Sequence, residues 1–294
     1  MPDLDLKLFI PLGLALGGVY SMSGVGLLVL YRATGVLNLA YGAVGAMGAL
    51  IAYSLVEDGT NRYVAYTVCI LFGGVVTLVY GLLLGPPFAA REPLIKATAT
   101  IGLTLILLGL MQRYWEQALV RTIQLPTSTV SYTVLDVRLS RTHLIGMLFP
   151  IVVGVGTAIY LKATRVGTAM RALADDREIT AMLGVPVRRV EAAAWFGSGI
   201  LAGLAGLLLA DLVGLDAVTL TFLVVPALAA ALIGQLQSLW ITLVAGFVIG
   251  VVQSSLAAWS SLADYRTTTP FVLAIAALLW FSVRGATAAE GRAA

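Results

Sequence analysis

The chain has 294 residues, of which 60% are hydrophobic and 11% are charged, and its formal net charge is +3. A soluble globular domain typically carries about 25% charged residues, so the composition excludes a water-soluble fold. The sequence has no basic stripe of the kind that neutralises nucleic-acid phosphates, and its single cysteine, Cys69, excludes a disulfide framework within the chain.

Apolar runs of roughly 20 residues recur along almost the whole chain, and each could cross a hydrocarbon core about 30 Å thick as an α-helix. Hydropathy, Pro and Gly positions and charge clusters predict an all-α, polytopic membrane helical bundle with about eight or nine spans. We expect one transmembrane domain over residues 1–294, with no room for a soluble catalytic domain. The predicted spans are 8–30, 34–55, 64–85, 97–113, 142–162, 192–210, 218–235, 240–259 and 270–283.

Two of these spans contain residues that interrupt helices. The span at 34–55 includes Gly35 and Asn38, and the span at 218–235 includes Pro226. Irregular backbone at membrane depth is tolerated only where protein or water covers it. Each of the two could therefore be a full crossing or a broken, partly re-entrant helix that lines a cavity.

The distribution of lysine and arginine predicts the orientation, because cytoplasmic loops carry an excess of these residues. An outside N-terminus and a cytoplasmic C-terminus place most of the 18 basic residues inside. The long hydrophilic segment 114–142 then lies outside, with a composition that suits a short hairpin, and the segment 162–191 lies in the cytoplasm. The basic residues predicted inside are Arg32, Arg91, Lys96, Lys162, Arg165, Arg171, Arg177, Arg188, Arg189, Arg284 and Arg292.

Within the segment 162–191, the sequence ADDREITAMLGVPV has the pattern of a short capped helix. Asp175 is predicted as the N-cap, with Glu178 three residues later as its capping-box partner. Gly184 is predicted as the residue that ends the helix in a left-handed conformation, and Pro186 prevents its continuation.

The predicted helix, about eight residues long, places Ile179, Met182 and Leu183 at positions i, i+3 and i+4, where they form one small apolar face. An isolated helix this short is marginal in water, so something must cover that face. Two kinds of cover fit the sequence. One is the chain's own bundle or the lipid interface, and the other is a separate soluble subunit that transmits force to the spans.

Polar residues inside the predicted spans are candidates for a translocation pathway, because a polar solute needs hydrogen-bond partners where lipid offers none. Structural roles are the alternative, since Thr often bonds a carbonyl of its own helix and Asn can tie two helices together. The candidates are Asn38, Tyr41, Thr98, Thr100 and Thr104.

The interiors of the predicted spans lack the carboxylate or histidine that an ion-coupled carrier usually keeps at membrane depth. The sequence also lacks the GxxxxGK[ST], HExxH and GxSxG motifs. We therefore expect no enzymatic activity, no metal site and no nucleotide site on this chain.

Three segments carry a resemblance to a known family. The most specific is VGTAMRALADDREITAMLGVPVRRVEAAAWFGSGILAGLAGLLL, residues 166–209. It is similar to the cytoplasmic loop and following span of the integral membrane permeases of branched-chain amino acid ABC importers, the leucine/isoleucine/valine type. YRATGVLNLAYGAVGAMGA, residues 31–49, and ATIGLTLIL, residues 99–107, support it. With the number and order of spans, the resemblance covers most of the chain.

Two departures from the family pattern concern substrate identity. Many relatives carry His and an acidic residue in the second segment, where this chain has Tyr41 and Ala43. The glycine-rich turn before the penultimate span appears here as IGQLQS, residues 233–238.

The resemblance implies a permease that moves branched-chain amino acids or a related small polar solute into the cell by ATP-driven alternating access. The implied partners are a second permease (paralogue or copy), two cytoplasmic ATPases that hold ATP and Mg, and an extracytoplasmic substrate-binding protein, all at a bacterial inner membrane. This chain itself would hold no cofactor. The implied coupling segment, which would dock in a groove of an ATPase, comprises Asp175, Asp176, Arg177, Glu178, Ile179, Met182, Leu183 and Gly184.

Two other functions remain compatible with the sequence. One is a passive channel or facilitator for a small neutral solute such as urea. The other is an ion-coupled carrier, which the missing intramembrane carboxylate disfavours.

Overall fold

The computed structural model describes residues 6–88, 91–115, 121–134, 137–259 and 262–293. These residues form a helical bundle with one two-stranded sheet and one short 3₁₀ helix, at Ala263–Thr267. The strands are β1 (Ser131–Val134) and β2 (Val137–Ser140). The helices are α1 (Leu6–Thr34), α2 (Tyr41–Glu57), α3 (Arg62–Phe88), α4 (Pro93–Tyr114), α5 (Arg141–Ala163), α6 (Arg165–Asp175), α7 (Arg177–Met182), α8 (Val187–Val213), α9 (Ala217–Phe222), α10 (Val224–Ile233), α11 (Leu239–Leu256) and α12 (Thr269–Ala293).

The polytopic helical bundle predicted from the sequence is confirmed. Within the described residues, six helices are long and apolar enough to cross a membrane, and three shorter apolar segments accompany them. Together they correspond one to one to the nine predicted spans. The six are Phe9–Thr34, Arg62–Phe88, Pro93–Tyr114, Arg141–Ala163, Val187–Val213 and Leu239–Leu256, and the shorter segments are Tyr41–Glu57, Ala217–Ile233 and Thr269–Phe281.

Helix α1 lies at the centre of the bundle, where it packs against α5, α8, α10 and α11. Small residues allow this close approach. A Cβ added at Gly17 would lie 2.8 Å from the backbone oxygen of Gly246 on α11, so only glycine fits there. Large apolar side chains on α3, α4 and α5 are exposed instead, for example Leu83, Leu105 and Val152. These faces suit contact with lipid.

Both predicted interruptions are present. The first separates α1 from α2: α1 ends at Thr34, Gly35 has a left-handed φ of +67°, and the chain stays irregular through Ala40. The second separates α9 from α10 at Leu223. Pro226 accounts for that break, because it has no N–H to donate to the carbonyl oxygen of Phe222, four residues earlier, and its ring crowds that carbonyl. The helix therefore restarts at Val224, with Pro226 in the first turn of α10.

The predicted short hairpin in segment 114–142 is confirmed, with Tyr132 paired to Leu139 in an antiparallel ladder. Residues 116–120 and 135–136 of that segment lie outside the described residues. The chain before the hairpin folds back over the junction between α8 and α9, since the N–H of Leu125 donates to the Asp211 carboxylate at 3.0 Å. We refer to this end of the bundle as the hairpin end.

The opposite end, the α6–α7 end, carries a helix that the sequence did not predict. Helix α6 starts after Thr164, whose hydroxyl accepts a hydrogen bond from the N–H of Gly167 at 2.9 Å. Its buried residues Met170 and Leu173 pack in a cluster with Leu30 of α1 and Trp195 of α8. Helix α6 is thereby fixed to three neighbouring helices, α1, α5 and α8.

Candidate functional site

Helix α7 is shorter than predicted and begins one residue later. Its N-cap is Asp176, whose Oδ1 accepts a hydrogen bond from the N–H of Ile179 at 2.9 Å. The prediction of Asp175 as the N-cap was wrong because α6 continues through Asp175, and Asp176 is the residue with the extended backbone that a cap requires. The predicted capping box is also wrong: the third helical position is Ile179, and Glu178 lies one residue before it.

The C-terminal end of α7 matches the sequence pattern. Gly184 has a φ of +81°, and its N–H donates to the carbonyl oxygen of Ala181 at 3.0 Å. Residues with a Cβ adopt this left-handed conformation only at a cost, so glycine is the residue expected here. Helix α8 starts three residues later, at Val187.

The apolar face of α7 points away from the bundle. Ile179 is 53% exposed, and Met182 and Leu183 are each 78% exposed. Only Thr180, on the opposite face, is buried among the residues of this helix. In this conformation the described part of the bundle does not cover the face, so the lipid interface and a separate soluble subunit remain as the covers that the sequence allows.

Exposed charged residues of both signs flank this apolar face in the sequence. Asp175, Asp176 and Glu178 are exposed at the N-terminal end of α7, and Arg188 and Arg189 are exposed at the start of α8. An apolar centre with a charged rim is a usual arrangement for a protein–protein contact.

Helix α7 packs mainly against α6 and reaches α8 through an ion pair. Nη2 of Arg177 and Oε1 of Glu191 are 2.9 Å apart, and the Glu191 side chain is the more buried partner, at 14% exposed against 40% for Arg177. Both residues line a small cavity with Lys96 of α4 and Trp195 of α8. Sequence reasoning missed Glu191, since nothing in the chain order indicates that this carboxylate meets Arg177.

Two of the predicted pathway threonines, Thr100 and Thr104, meet the irregular segment 35–40. The hydroxyl of Thr100 accepts a hydrogen bond from the N–H of Leu39 at 2.9 Å, and the hydroxyl of Thr104 donates to the carbonyl oxygen of Leu39 at 3.2 Å. The side chains of α4 thus form hydrogen bonds with backbone groups of the irregular segment, as irregular backbone inside an apolar bundle requires.

Thr98 is placed elsewhere. It lies on the exposed side of α4, and its hydroxyl donates to the carbonyl oxygen of Leu94 in its own helix at 2.8 Å. In this conformation it does not join Thr100 and Thr104 at the irregular segment.

Asn38 and Tyr41 are buried and have polar atoms without partners. Asn38 is 1% exposed, its Oδ1 accepts from the N–H of Ala40 at 3.0 Å, and its Nδ2 has no hydrogen-bond partner. Tyr41 is 2% exposed, and its hydroxyl likewise has no partner. Buried polar groups are nearly always hydrogen-bonded, so two such atoms three residues apart mark this region as a candidate for polar ligand contact.

The two interrupted elements pack against each other. A Cβ at Gly42, in the first turn of α2, would overlap the backbone carbonyl of Thr221 at the end of α9. Helix α9 is itself capped by Asp216, whose Oδ2 accepts from the N–H of Thr219 at 2.7 Å. The irregular segment, the start of α2 and the break between α9 and α10 therefore lie together inside the bundle.

The sequence profile of a family described as "branched-chain amino acid transport system / permease component" matches residues 9–280. The probable branched-chain amino acid transport permease protein LivH of Methanocaldococcus jannaschii is 26% identical over 261 residues, which cover 86% of this chain and 82% of that protein. The high-affinity branched-chain amino acid transport system permease protein LivH of Escherichia coli K12 is 22% identical over 283 residues, 91% of each chain.

Two further proteins are similar to this chain, one in sequence and one in fold. The permease protein BraD of a high-affinity branched-chain amino acid transport system in Pseudomonas aeruginosa is 24% identical over 256 residues, 82% of this chain and 83% of that protein. A chain of the solved structure "PsaBC from Streptococcus pneumoniae in complex with Fab" is similar in fold, with a TM-score of 0.50 and 14% identity over 92% of this chain and 90% of that chain.

Proposed function

The chain belongs to the family of branched-chain amino acid transport system permease components, and on that premise we propose that its exposed helix α7 couples a multi-pass permease to the ATPase of an ABC importer. The observation that carries this proposal is the apolar face of Ile179, Met182 and Leu183, which the bundle leaves uncovered. The rim of Asp175, Asp176 and Glu178 adds charge complementarity for a basic edge of the docking groove. Gly184 fixes the direction in which the chain leaves α7.

The proposed assembly contains this chain as one transmembrane unit, residues 1–294, with a second permease subunit that is a copy or a paralogue. Two cytoplasmic ATPases bind ATP and Mg and supply the energy, and an extracytoplasmic binding protein delivers the solute. We place the complex in a bacterial inner membrane, with the hairpin end outside and the α6–α7 end in the cytoplasm, because the basic residues favour that orientation.

The proposed solute is a branched-chain amino acid or a related small polar molecule. Asn38 and Tyr41 would contribute the unpartnered amide and hydroxyl groups, and Thr100 and Thr104 would hold the irregular segment that carries Asn38. Thr98 would join the pathway only where a second permease covers the exposed face of α4. In alternating access, the pathway opens first to one side of the membrane and then to the other. A movement of α7 must therefore be transmitted to the irregular segment.

The matched relatives are named as permeases of branched-chain amino acid transport systems, which favours this function over a passive channel for a neutral solute such as urea. The channel and the permease differ in their requirement for ATP. A channel conducts without an ATPase, whereas the proposed permease moves solute only with ATP and its partner subunits.

The docking role of α7 can be tested with Leu183→Glu. A carboxylate on the exposed apolar face should prevent burial against a partner, so the tagged variant should reach the membrane but no longer co-purify with the ATPase. Val166→Glu makes the same chemical change on α6, at another exposed apolar residue, and should leave co-purification unchanged. Normal recovery of the ATPase with Leu183→Glu would contradict the docking role.

A further inference from the structure

The ion pair between Arg177 and Glu191 joins the first residue of α7 to α8, in addition to the packing of α7 against α6. Arg177 is the first residue of α7, and Glu191 lies near the start of α8. The carboxylate is the more buried partner, at 14% exposed. If α7 moves relative to the bundle, the Arg177 guanidinium moves with α7, whereas the Glu191 carboxylate stays with α8.

A carboxylate this buried needs a cation in each conformation, because breaking such a pair leaves an uncompensated charge. Among the described residues, the other cations whose charge acts on Glu191 are Lys96 and Arg188. Arg188 is exposed and belongs to the same helix, three residues earlier, so it moves together with Glu191. Lys96 lies on a different helix, α4, and lines the same cavity as Arg177 and Glu191.

Lys96 also connects this cavity to the irregular segment. Thr100 follows Lys96 by four residues, about one turn, on α4. Its hydroxyl accepts the hydrogen bond from Leu39, the neighbour of Asn38. A displacement of the first turn of α4 is therefore carried by a continuous helix to the segment that contains Asn38.

We propose that Glu191 is a positioning residue that couples α7 to α4, pairing with Arg177 in the conformation described here and with Lys96 when α7 moves away. The cavity that these three side chains line, together with residues of α1, α3 and α4, measures about 20 Å³, enough for about one water molecule during the exchange. This inference rests on the proposed role of α7 as the docking helix and names the contact by which its movement reaches the spans.

The test uses the whole importer, with its ATPases, reconstituted in liposomes, and measures ATP hydrolysis and solute uptake in the same sample. Glu191→Gln should keep the ATPases bound and hydrolysing ATP while uptake per ATP falls about tenfold, a size typical of the loss of one coupled pair. Lys96→Gln leaves the Arg177–Glu191 pair intact and should produce the same loss. Lys162→Gln is the matched control, because it removes an exposed lysine on α5 at the same end of the bundle, and it should transport normally.

A charge-swapped double variant, Arg177→Glu with Glu191→Arg, separates coupling from simple structural support. It restores an ion pair between α7 and α8 but places a cation opposite Lys96, so thermal stability should recover while uptake per ATP stays low. A purely structural pair would recover both, and that result would overturn the proposal.

The remaining outcomes are equally decisive. Normal uptake per ATP in Glu191→Gln or in Lys96→Gln would contradict the proposed exchange of partners at Glu191. Loss of the ATPases from Glu191→Gln would also contradict it, because the carboxylate would then support docking. Failure of the docking role itself appears separately, as normal recovery of the ATPase with Leu183→Glu.

Discussion

Single residues at the two ends of α7 determine whether this short helix keeps its shape. Asp176 satisfies a backbone N–H at the start, and Gly184 takes the left-handed conformation that ends it. A helix of six residues has little stability of its own. The two caps therefore contribute a large share of the stability of α7, which the proposed docking requires.

The cap assignment predicts opposite results for two neighbouring aspartates. Asp176→Ala removes the acceptor for the N–H of Ile179 and should destabilise α7 by about 1 kcal/mol, seen as faster amide hydrogen exchange at Ile179. Asp175→Ala makes the same change one residue earlier, at the end of α6, and should leave that exchange rate nearly unchanged. If the two variants behaved in the reverse order, the N-cap would be Asp175 after all.

The left-handed conformation at Gly184 predicts different effects for two substitutions. Gly184→Val forces a β-branched residue into a left-handed conformation, at a cost of about 1–2 kcal/mol, and should lower uptake while the chain still folds and inserts. Gly184→Asn should retain most of the uptake, because Asn tolerates this conformation better than other residues with a Cβ. Equal uptake in both variants would show that the left-handed turn is unimportant for transport.

At the scale of elements, the bundle depends on side chains that serve interrupted backbone. The hydroxyls of Thr100 and Thr104 bind the backbone of Leu39. These contacts let the chain be irregular between α1 and α2 inside an apolar bundle. The same arrangement links α4 to the segment that carries the candidate pathway residue Asn38.

Two threonines on α4 provide a matched test of this role. Thr100→Val keeps the shape of the side chain but leaves the N–H of Leu39 without its acceptor, which should lower the free energy of unfolding by about 1–3 kcal/mol. Thr98→Val removes a hydroxyl that bonds only its own helix on an exposed face, so its effect should stay within about 0.5 kcal/mol. Thermal unfolding of the purified variants in detergent measures both, and similar melting temperatures would argue against the proposed role of Thr100.

Some of these elements could be predicted from the sequence, and others could not. Hydropathy located all nine apolar segments, and Gly35 with Asn38 indicated the first interruption, because these signals are local. Helix α6 was missed because its amphipathic face needs three other helices to cover it. That extra helix also moved the N-cap from Asp175 to Asp176.

Contacts between residues far apart in the chain could not be predicted from the sequence. A tryptophan near the end of a span usually anchors at the membrane interface, yet Trp195 is 3% exposed and packs against Tyr80, with ring centroids 5.3 Å apart. The pairing of Arg177 with Glu191 likewise depends on how α7 and α8 fold back on each other. Sequence order carries no information on either contact.

At the scale of the whole molecule, the family match over residues 9–280 and the helical bundle agree on a multi-pass membrane permease. At the α6–α7 end, the apolar face of α7 is exposed. In the proposed importer, this face is the surface through which a partner ATPase acts on the bundle.

The most direct measurement is a mild-detergent purification of the tagged chain from its native membrane, with the partners identified by mass spectrometry. We expect recovery of an ATPase with a phosphate-binding loop together with a second apolar permease. Recovery of the chain alone, or only as copies of itself, in detergents that keep other ABC transporters assembled would contradict the proposed importer.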